Sequence, residues 1–206
     1  MTSGNLSRRR LIAGLGLLAA LEGCTTSPNS RFFTLAPQPA AASAGRPPAT
    51  VAVKPVELAK YLDRPQIVRH SNAYELQFAD IERWGEEMRD MVTRVLIENL
   101  SLRLPTSQVV GASGPLTIRA DVTVEVDVSR FDADQNGKVL LDARSAVQRE
   151  VRRPSMWSDR ITVQPASPSI PDLVAAMSDA LGQLSDRIAR MLAVSAREGA
   201  DRRLIG

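Results

Sequence analysis

The sequence predicts an α+β fold in which an antiparallel sheet with a long central hairpin has one face covered by two helices. Side chains at residues 116–128 alternate strictly between apolar or small and polar, and residues 139–151 repeat that alternation. A period of two is typical of strands with one buried face. Two other segments, within residues 80–105 and 169–199, carry apolar side chains every three or four positions, as amphipathic helices do. Sheets that alternate in this way are covered on one face, here by the two helices.

The strands that precede the first helix are predicted to be short. Residues 51–56 form a strand that Pro55 confines to an edge or to a strand end, because proline donates no ladder hydrogen bond. Residues 66–68 and 74–78 flank the turn-forming pair at 71–72, which predicts a hairpin.

The first helix is predicted between Asp80 and Pro105. Asp80 is a suitable N-cap, Glu82 has a favourable charge for the first turn, and Pro105 enforces the end. Its apolar stripe consists of Trp84, Met88, Met91, Val95 and Leu102, with Val92 and Leu96 beside them.

A turn over residues 132–137 joins the two long strands. Asn136-Gly137 is a signal for a two-residue hairpin loop. The same residues match the first half of a calcium-binding EF-hand loop, but the twelfth position holds Ala143, where that loop needs a bidentate glutamate. Strands also flank the segment where an EF-hand has helices, so a hairpin turn is predicted.

A last strand over residues 156–163 and a second helix complete the predicted fold. Ser169 and Asp172 form a capping-box pattern at the start of this helix, which ends near Gly199. Its buried face consists of Leu173, Met177, Leu181, Leu184, Ile188 and Met191.

The N-terminus has the pattern of an export signal that ends at a lipidated cysteine. Arginines at 8–10 precede an uncharged apolar run at 11–21, which is too short to span a bilayer core of roughly 30 Å. Leu21-Glu22-Gly23-Cys24 resembles the lipobox of bacterial lipoproteins, in which cleavage falls between Gly23 and Cys24 and the cysteine is diacylated. Cys24 is the only cysteine of the chain. We therefore expect residues 1–23 to be a lipoprotein signal peptide and Cys24 to be a lipid anchor, with a plain secretory signal as the alternative.

The export route and the target membrane are less strongly specified. Ser7-Arg8-Arg9-Arg10-Leu11-Ile12 resembles the twin-arginine pattern, although ordinary unfolded export also uses a basic start, and both routes stay open. In lipoproteins an aspartate after the cysteine favours retention at the inner membrane. Thr25 stands there instead, which favours the periplasmic face of the outer membrane and leaves inner-membrane retention open.

The chain after the signal peptide is predicted to consist of a tether and a single domain. Residues 24–49 are rich in proline and alanine and are predicted to be the lipidated N-terminus and tether, within which 31–35 can dock as an edge strand or stay free. Residues 50–198 form the domain and 199–206 a C-terminal tail. Removal of 1–23 takes away three of 26 basic and one of 23 acidic side chains, which leaves a net charge of +1. So small a charge argues against nucleic-acid binding.

The sequence offers no set of residues for catalysis. His70 is the only histidine, it precedes a turn, and it is predicted to be a solvent-facing loop residue. A zinc site would need three or four histidine, cysteine or carboxylate ligands at suitable spacing, which the sequence lacks. No glycine-rich phosphate loop occurs. The chain is therefore predicted to be neither an enzyme nor a carrier of a cofactor or metal.

A motif between the first strands resembles a known family. Tyr61, Leu62, Asp63, Arg64 and Pro65 begin a run, Tyr-Leu-Asp-Arg-Pro-Gln-Ile-Val, that is similar to the signature of the ABC-type transport auxiliary lipoproteins, the PqiC-like family. Two other segments add to the resemblance. Phe32-Phe33-Thr34-Leu35 is similar to the aromatic strand that follows the lipidated cysteine in that family, and Arg83-Trp84 followed by Glu86 is similar to its helix-opening motif.

This resemblance implies a non-catalytic periplasmic component of an intermembrane lipid-transport system. Its partners would be a protein with MCE (MlaD-type) domains and the permease and ATPase of an ABC-type transporter. Some members form rings, which would make this chain a homo-oligomer with head-to-tail interfaces. Tyr61–Pro65, Arg83 and Trp84 would shape either a partner surface or the local fold. The alternatives are a structural accessory of another envelope assembly or secretion machine, and a soluble lipid carrier with an apolar cavity.

Overall fold

Strand β7 is the centre of a mixed sheet. The computed structural model describes residues 29–40, 45–113, 119–149 and 153–201. In chain order the strands are β1 (Arg31–Phe33), β2 (Thr50–Val53), β3 (Glu57–Leu58), β4 (Gln66–His70), β5 (Leu76–Trp84), β6 (Gln108–Gly111), β7 (Val122–Ala133), β8 (Val139–Arg149) and β9 (Ser155–Val163), and the helices are α1 (Met88–Arg103) and α2 (Ile170–Asp201). The α+β fold, the long central hairpin and the two covering helices are confirmed.

The two edges of β7 are occupied differently. One edge pairs antiparallel with β8, which pairs antiparallel with β9. Three short strands, β2, β3 and β4, share the other edge, and all three run parallel to β7. β1 and β6 also pair in parallel, with β5 and β2 respectively. Antiparallel pairing therefore holds for the hairpins, while the other pairings make the sheet mixed.

The predicted alternation identifies which residues of the two long strands belong to the core. Even-numbered residues of β7 from Val122 to Val128 and odd-numbered residues of β8 from Val139 to Val147 are buried beneath the helices. The turn between them contains three residues between Asp134 and Lys138, which share a backbone hydrogen bond of 2.8 Å. Gly137 adopts φ +76°, which allows the bulge that closes such a loop. The expected two-residue loop is therefore wrong by one residue.

Helix α1 begins seven residues later than predicted, with Glu87 rather than Asp80 at its N-cap position. Asp80 and Glu82 lie in β5, and Trp84 is the last residue of that strand rather than part of a helical stripe. Pairing with two other segments extends β5: Trp84 N–H donates to the Pro65 carbonyl at 2.7 Å, and Gly85 N–H donates to the Phe33 carbonyl at 2.8 Å. These long-range bonds override the local helix signals.

The helix faces otherwise follow the sequence, with one exception in each helix. In α1, Leu102 is 51% exposed, while the other predicted residues within the helix are buried. In α2, Met191 is 36% exposed, while the five other predicted residues are buried. Ser169 Oγ accepts a hydrogen bond from the N–H of Asp172 at 3.3 Å, as the capping pattern predicts.

Residues 34–40 lie in the groove between the two helices. Ala36 N–H donates to Ser178 Oγ of α2 at 3.2 Å, and Gln38 N–H donates to Asn99 Oδ1 of α1 at 2.8 Å. The packed part of the chain therefore includes β1 and this segment, both of which fall in the interval predicted to be tether. Among the described residues, no helix combines the length and the apolar character needed to cross a membrane.

Candidate functional site

The motif residues form the turn that connects β3 to β4. Ala59 N–H donates to the carbonyl of Val128 in β7 at 2.9 Å, so the start of the turn is fixed to the central strand. Within the turn, Leu62 N–H donates to the Ala59 carbonyl, also at 2.9 Å, and Arg64 N–H donates to the Leu62 carbonyl. The backbone therefore folds back on itself before Pro65 leads into β4.

Tyr61 fixes the turn from inside. Its phenol donates a hydrogen bond of 2.5 Å to Oδ2 of Asp132, a residue of β7 with no exposed surface. Burial raises the pKa of the Tyr61 phenol, and the hydrogen bond to the Asp132 carboxylate raises it further. The phenol therefore stays protonated and serves as a donor throughout the physiological range.

Asp132 gathers three side chains around one buried carboxylate. His70 Nδ1 lies 3.0 Å from Asp132 Oδ1, and Arg130 Nε donates to the same oxygen at 3.1 Å. The rings of Tyr61 and His70 meet edge to face, with 6.1 Å between centroids. His70 is thus the last residue of β4 with a side chain only 19% exposed, and its prediction as a solvent-facing loop residue is wrong.

The sequence pattern presents Asp132 only as a candidate calcium ligand and not as the centre of this cluster. One signal could have found it. Apolar residues occupy even positions as far as Val128 and then shift to Phe131 and Ala133. Such a change of parity indicates a bulge, which the structure places between Val128 and Arg130, and a bulge changes the face of the sheet to which the following side chains point.

Leu62 and Trp84 form the apolar base of the motif. Leu62 is 3% and Trp84 5% exposed, and both belong to the core. The bond from Trp84 N–H to the Pro65 carbonyl joins the turn to the end of β5. These two residues and Tyr61 therefore hold the motif in place.

The remaining motif residues line a surface cavity. Asp63, Arg64 and Pro65 form one wall, and the opposite wall runs from Trp84 to Met88, around a volume of about 320 Å³. The Arg64 guanidinium lies over the ring of Phe78, 4.2 Å from its centroid, and its buried Nε has no hydrogen-bond partner. Arg83 is absent from this lining, and its guanidinium instead donates to the Asp80 carbonyl at 3.3 Å.

The cavity rim carries more negative than positive charge. Glu86 accepts a hydrogen bond from Arg94, which raises the pKa of that guanidinium. Within the part of the chain that the structure describes, no ion-pair partner faces the exposed carboxylates of Asp63 and Glu87. Two free carboxylates beside one guanidinium and an indole suit the binding of a polar, cationic segment of a partner.

A second concavity, with a volume of about 480 Å³, is lined by residues 54–57, β7, β8 and the start of β9. Its charges already pair with one another: Lys54 Nζ lies 2.6 Å from Glu125 Oε1, and Arg144 donates to Asp127 Oδ2 at 2.6 Å. It therefore offers fewer free charged groups than the motif cavity. The predicted cleavage site at Gly23 and lipid anchor at Cys24 lie outside the described residues.

Comparison with known proteins identifies a family and a fold. A family model described as an ABC-type transport auxiliary lipoprotein component matches residues 33–189. A search of curated proteins finds no relative of this sequence. The crystal structure of an uncharacterized protein superposes with a TM-score of 0.66 at 19% identity, covering 80% of this chain and 99% of its own.

Two further structures are similar to this chain to different degrees. A Xanthomonas campestris protein of the DUF330 family superposes with a TM-score of 0.67 at 16% identity, covering 83% of this chain and 99% of its own. The PelC dodecamer from Paraburkholderia phytofirmans has a TM-score of 0.43 at 9% identity, covering 70% of this chain and 93% of its own.

Proposed function

The chain belongs to the family of ABC-type transport auxiliary lipoprotein components, and from this premise we propose that it is the non-catalytic, lipid-anchored partner of an MCE-domain protein in an intermembrane lipid-transport system. The permease and ATPase of the same ABC-type transporter complete the machine. The observation that carries the proposal is that some side chains of the family motif pack into the fold while others line the surface cavity.

That division separates structural residues from contact residues. Tyr61, Leu62 and Trp84 are directed inwards, so burial and hydrogen bonding account for them. Burial and hydrogen bonding do not account for Asp63 and Arg64 in this way: Asp63 is exposed, and Arg64 lies over the ring of Phe78 but leaves a buried nitrogen without a hydrogen-bond partner. A buried donor without a partner costs roughly 1–3 kcal/mol, and a ligand or partner that accepted from it would recover that energy. The cavity is therefore proposed as the surface that receives the partner.

The anchor is proposed at Cys24, with residues 1–23 removed as a signal peptide. Two or three acyl chains on one cysteine would give stable attachment, at about 0.8 kcal/mol per buried methylene. Because β1 packs on the sheet, only residues 25–30 separate the anchor from the domain. The domain is thereby kept close to the periplasmic face of the outer membrane, the location that Thr25 favours. A ring of identical chains with head-to-tail contacts is proposed as the assembled form.

The test is a cross-linked pull-down of tagged, full-length protein from its native envelope, with mass spectrometry of the captured partners. We expect an MCE-domain protein with its permease. Glu87→Lys together with Asp63→Lys should reduce that recovery several-fold, because the rim changes sign. Asp179→Lys, at an exposed carboxylate of α2, is the matched control and should leave recovery unchanged.

Two results would contradict the proposal. Capture of secretion or assembly components alone would assign the chain to another envelope machine. Equal recovery by the rim variant and its control would remove the cavity as the contact surface. Cys24→Ser, followed by separation of membrane and soluble fractions, tests the anchor independently: the variant should leave the membrane.

A further inference from the structure

On the premise that Cys24 is lipidated as proposed, we infer that the domain meets the lipid surface with one corner of its sheet. This membrane corner consists of β1 and the turn at the tip of the β4–β5 hairpin, residues 71–75. Its interfacial side chains are Phe32 and Tyr74. The occupant of this surface is the headgroup region of the bilayer that holds the acyl chains.

The direction of β1 points the anchor towards this corner. β1 runs parallel to β5, with Arg31 opposite Glu82 and Phe33 opposite Trp84. Going backwards along the chain from Arg31 therefore leads towards the start of β5, and so towards the hairpin tip. Continuing this register two residues back from Arg31 brings Asn29 level with Asp80.

The length of the connecting chain matches the overhang of the hairpin. From Asn29 to Cys24 the chain makes five steps, which reach at most about 18 Å. From Asp80 back to Glu75 the hairpin also extends by five residues, or about 17 Å. If the chain from Cys24 to Asn29 is fully extended, an acylated cysteine at the bilayer surface is therefore level with the hairpin tip. If that chain is bent, the hairpin tip lies still closer to the bilayer.

The turn at the hairpin tip exposes the amphipathic aromatic side chain of Tyr74. Tyr74 is 99% exposed, and in β1 Phe32 is 68% exposed. Asn72 Oδ1 accepts from the N–H of Tyr74 at 2.9 Å, and Glu75 Oε2 accepts from Ser71 Oγ at 2.6 Å. These hydrogen bonds fix the conformation of the turn, and the carboxylate of Glu75 is engaged within it.

The chemistry of these side chains suits a lipid interface rather than water. Exposure of a tyrosine at a loop tip leaves its ring without any contact, whereas at a bilayer surface the ring lies among headgroups and the hydroxyl stays hydrated. Arg31 in β1 is half-exposed and adjacent to Phe32; its guanidinium lies 3.6 Å from the Glu82 carboxylate, and its exposed side can approach lipid phosphates. The position, the reach and the side chains thus favour the same surface.

The test uses the full-length lipoprotein in vesicles of phosphatidylethanolamine and phosphatidylglycerol. Acylation blocks Cys24, so Tyr74→Cys provides a single free thiol for an environment-sensitive fluorophore. Thr106→Cys, in the exposed turn after α1, is the matched control because β6 starts at the opposite end of the sheet. We expect a blue shift and several-fold stronger quenching by spin-labelled lipids at position 74 than at 106. Phe32→Cys should follow position 74.

The possible outcomes distinguish failure of the lipid anchor at Cys24 from failure of the membrane corner. The intact mass of the same preparation shows whether Cys24 carries acyl chains. If it is acylated and position 74 is quenched no more than position 106, the membrane corner is wrong and the anchor stands. If the protein carries no acyl chains, both the anchor and the membrane corner are wrong.

Discussion

The phenol of Tyr61 and the carboxylate of Asp132 are hydrogen-bonded at 2.5 Å although 71 residues separate them in the sequence. This bond joins the turn that carries the family motif to the central strand of the sheet. Because Asp132 is fully buried, its carboxylate depends on Tyr61, His70 and Arg130 for the interactions that water would otherwise supply. The motif therefore contributes to stability at one end and presents Asp63 and Arg64 to the cavity at the other.

Tyr61→Phe should lower the free energy of unfolding by about 2 kcal/mol, because it removes a donor from a buried charged acceptor without changing the ring. Urea unfolding followed by circular dichroism measures the change. Tyr74→Phe makes the same substitution at the other tyrosine of the chain, which is 99% exposed, and should leave the midpoint where it is. Equal effects of the two substitutions would contradict a structural role for the Tyr61 hydroxyl.

The contribution of Tyr61 should disappear in alkali. Burial and the hydrogen bond to Asp132 raise the pKa of its phenol above the unfolded value of about 10. The folded protein thus holds this proton more tightly than the unfolded chain, so the stabilisation is complete below pH 10 and is lost as the pH rises above it. Between about pH 8 and about pH 10.5, wild type should lose more stability than Tyr61→Phe. Parallel loss in both proteins would show that the phenol does not contribute.

Elements with a clear local pattern could be predicted from the sequence. The alternation at 139–147 gives the buried face of β8, and Ser169 caps α2 as its spacing to Asp172 indicates. The end of α1 at Arg103 follows from Pro105. In each case the signal lies within a few residues of the structure that it specifies.

Features that depend on distant partners could not be predicted. Asp80 resembles an N-cap, yet pairing of β5 with β1 and the motif turn, which are remote in sequence, extends the strand to Trp84. Alternation likewise shows which face of β7 is buried but not that three parallel strands share its edge. The sequence identified the motif of the site, but it did not show which motif residues face inwards, because only tertiary packing separates the half-buried Tyr61 from the exposed Asp63.

Asp186 should prove more important than its exposure suggests. Its Oδ1 accepts from Nε of Arg103 at 2.5 Å, and Arg103 is only 2% exposed. Asp186→Ala would leave a buried guanidinium without a counter-charge, so we expect a loss of about 3 kcal/mol in the free energy of unfolding. Asp179→Ala removes an exposed carboxylate from the same helix and should cost less than about 0.5 kcal/mol. Similar costs in urea unfolding would contradict the role of the buried pair.

Gly182 tests whether residues 34–40 belong to the folded domain. A Cβ at position 182 would lie 2.9 Å from Cβ and 3.0 Å from Cγ of Gln38, too close for the segment to stay in place. In a helix interior where the added methyl group has room, the change from glycine to alanine stabilises by about 1 kcal/mol, so the sign of the effect at the buried Gly182 is informative. Gly182→Ala should destabilise the wild type, whereas in a Gln38→Gly background, where the clash is absent, it should stabilise. A double-mutant cycle by urea unfolding measures this reversal. A stabilising effect in both backgrounds would mean that residues 34–40 leave the groove in solution. The tether between Cys24 and the folded domain would then be longer than residues 25–30.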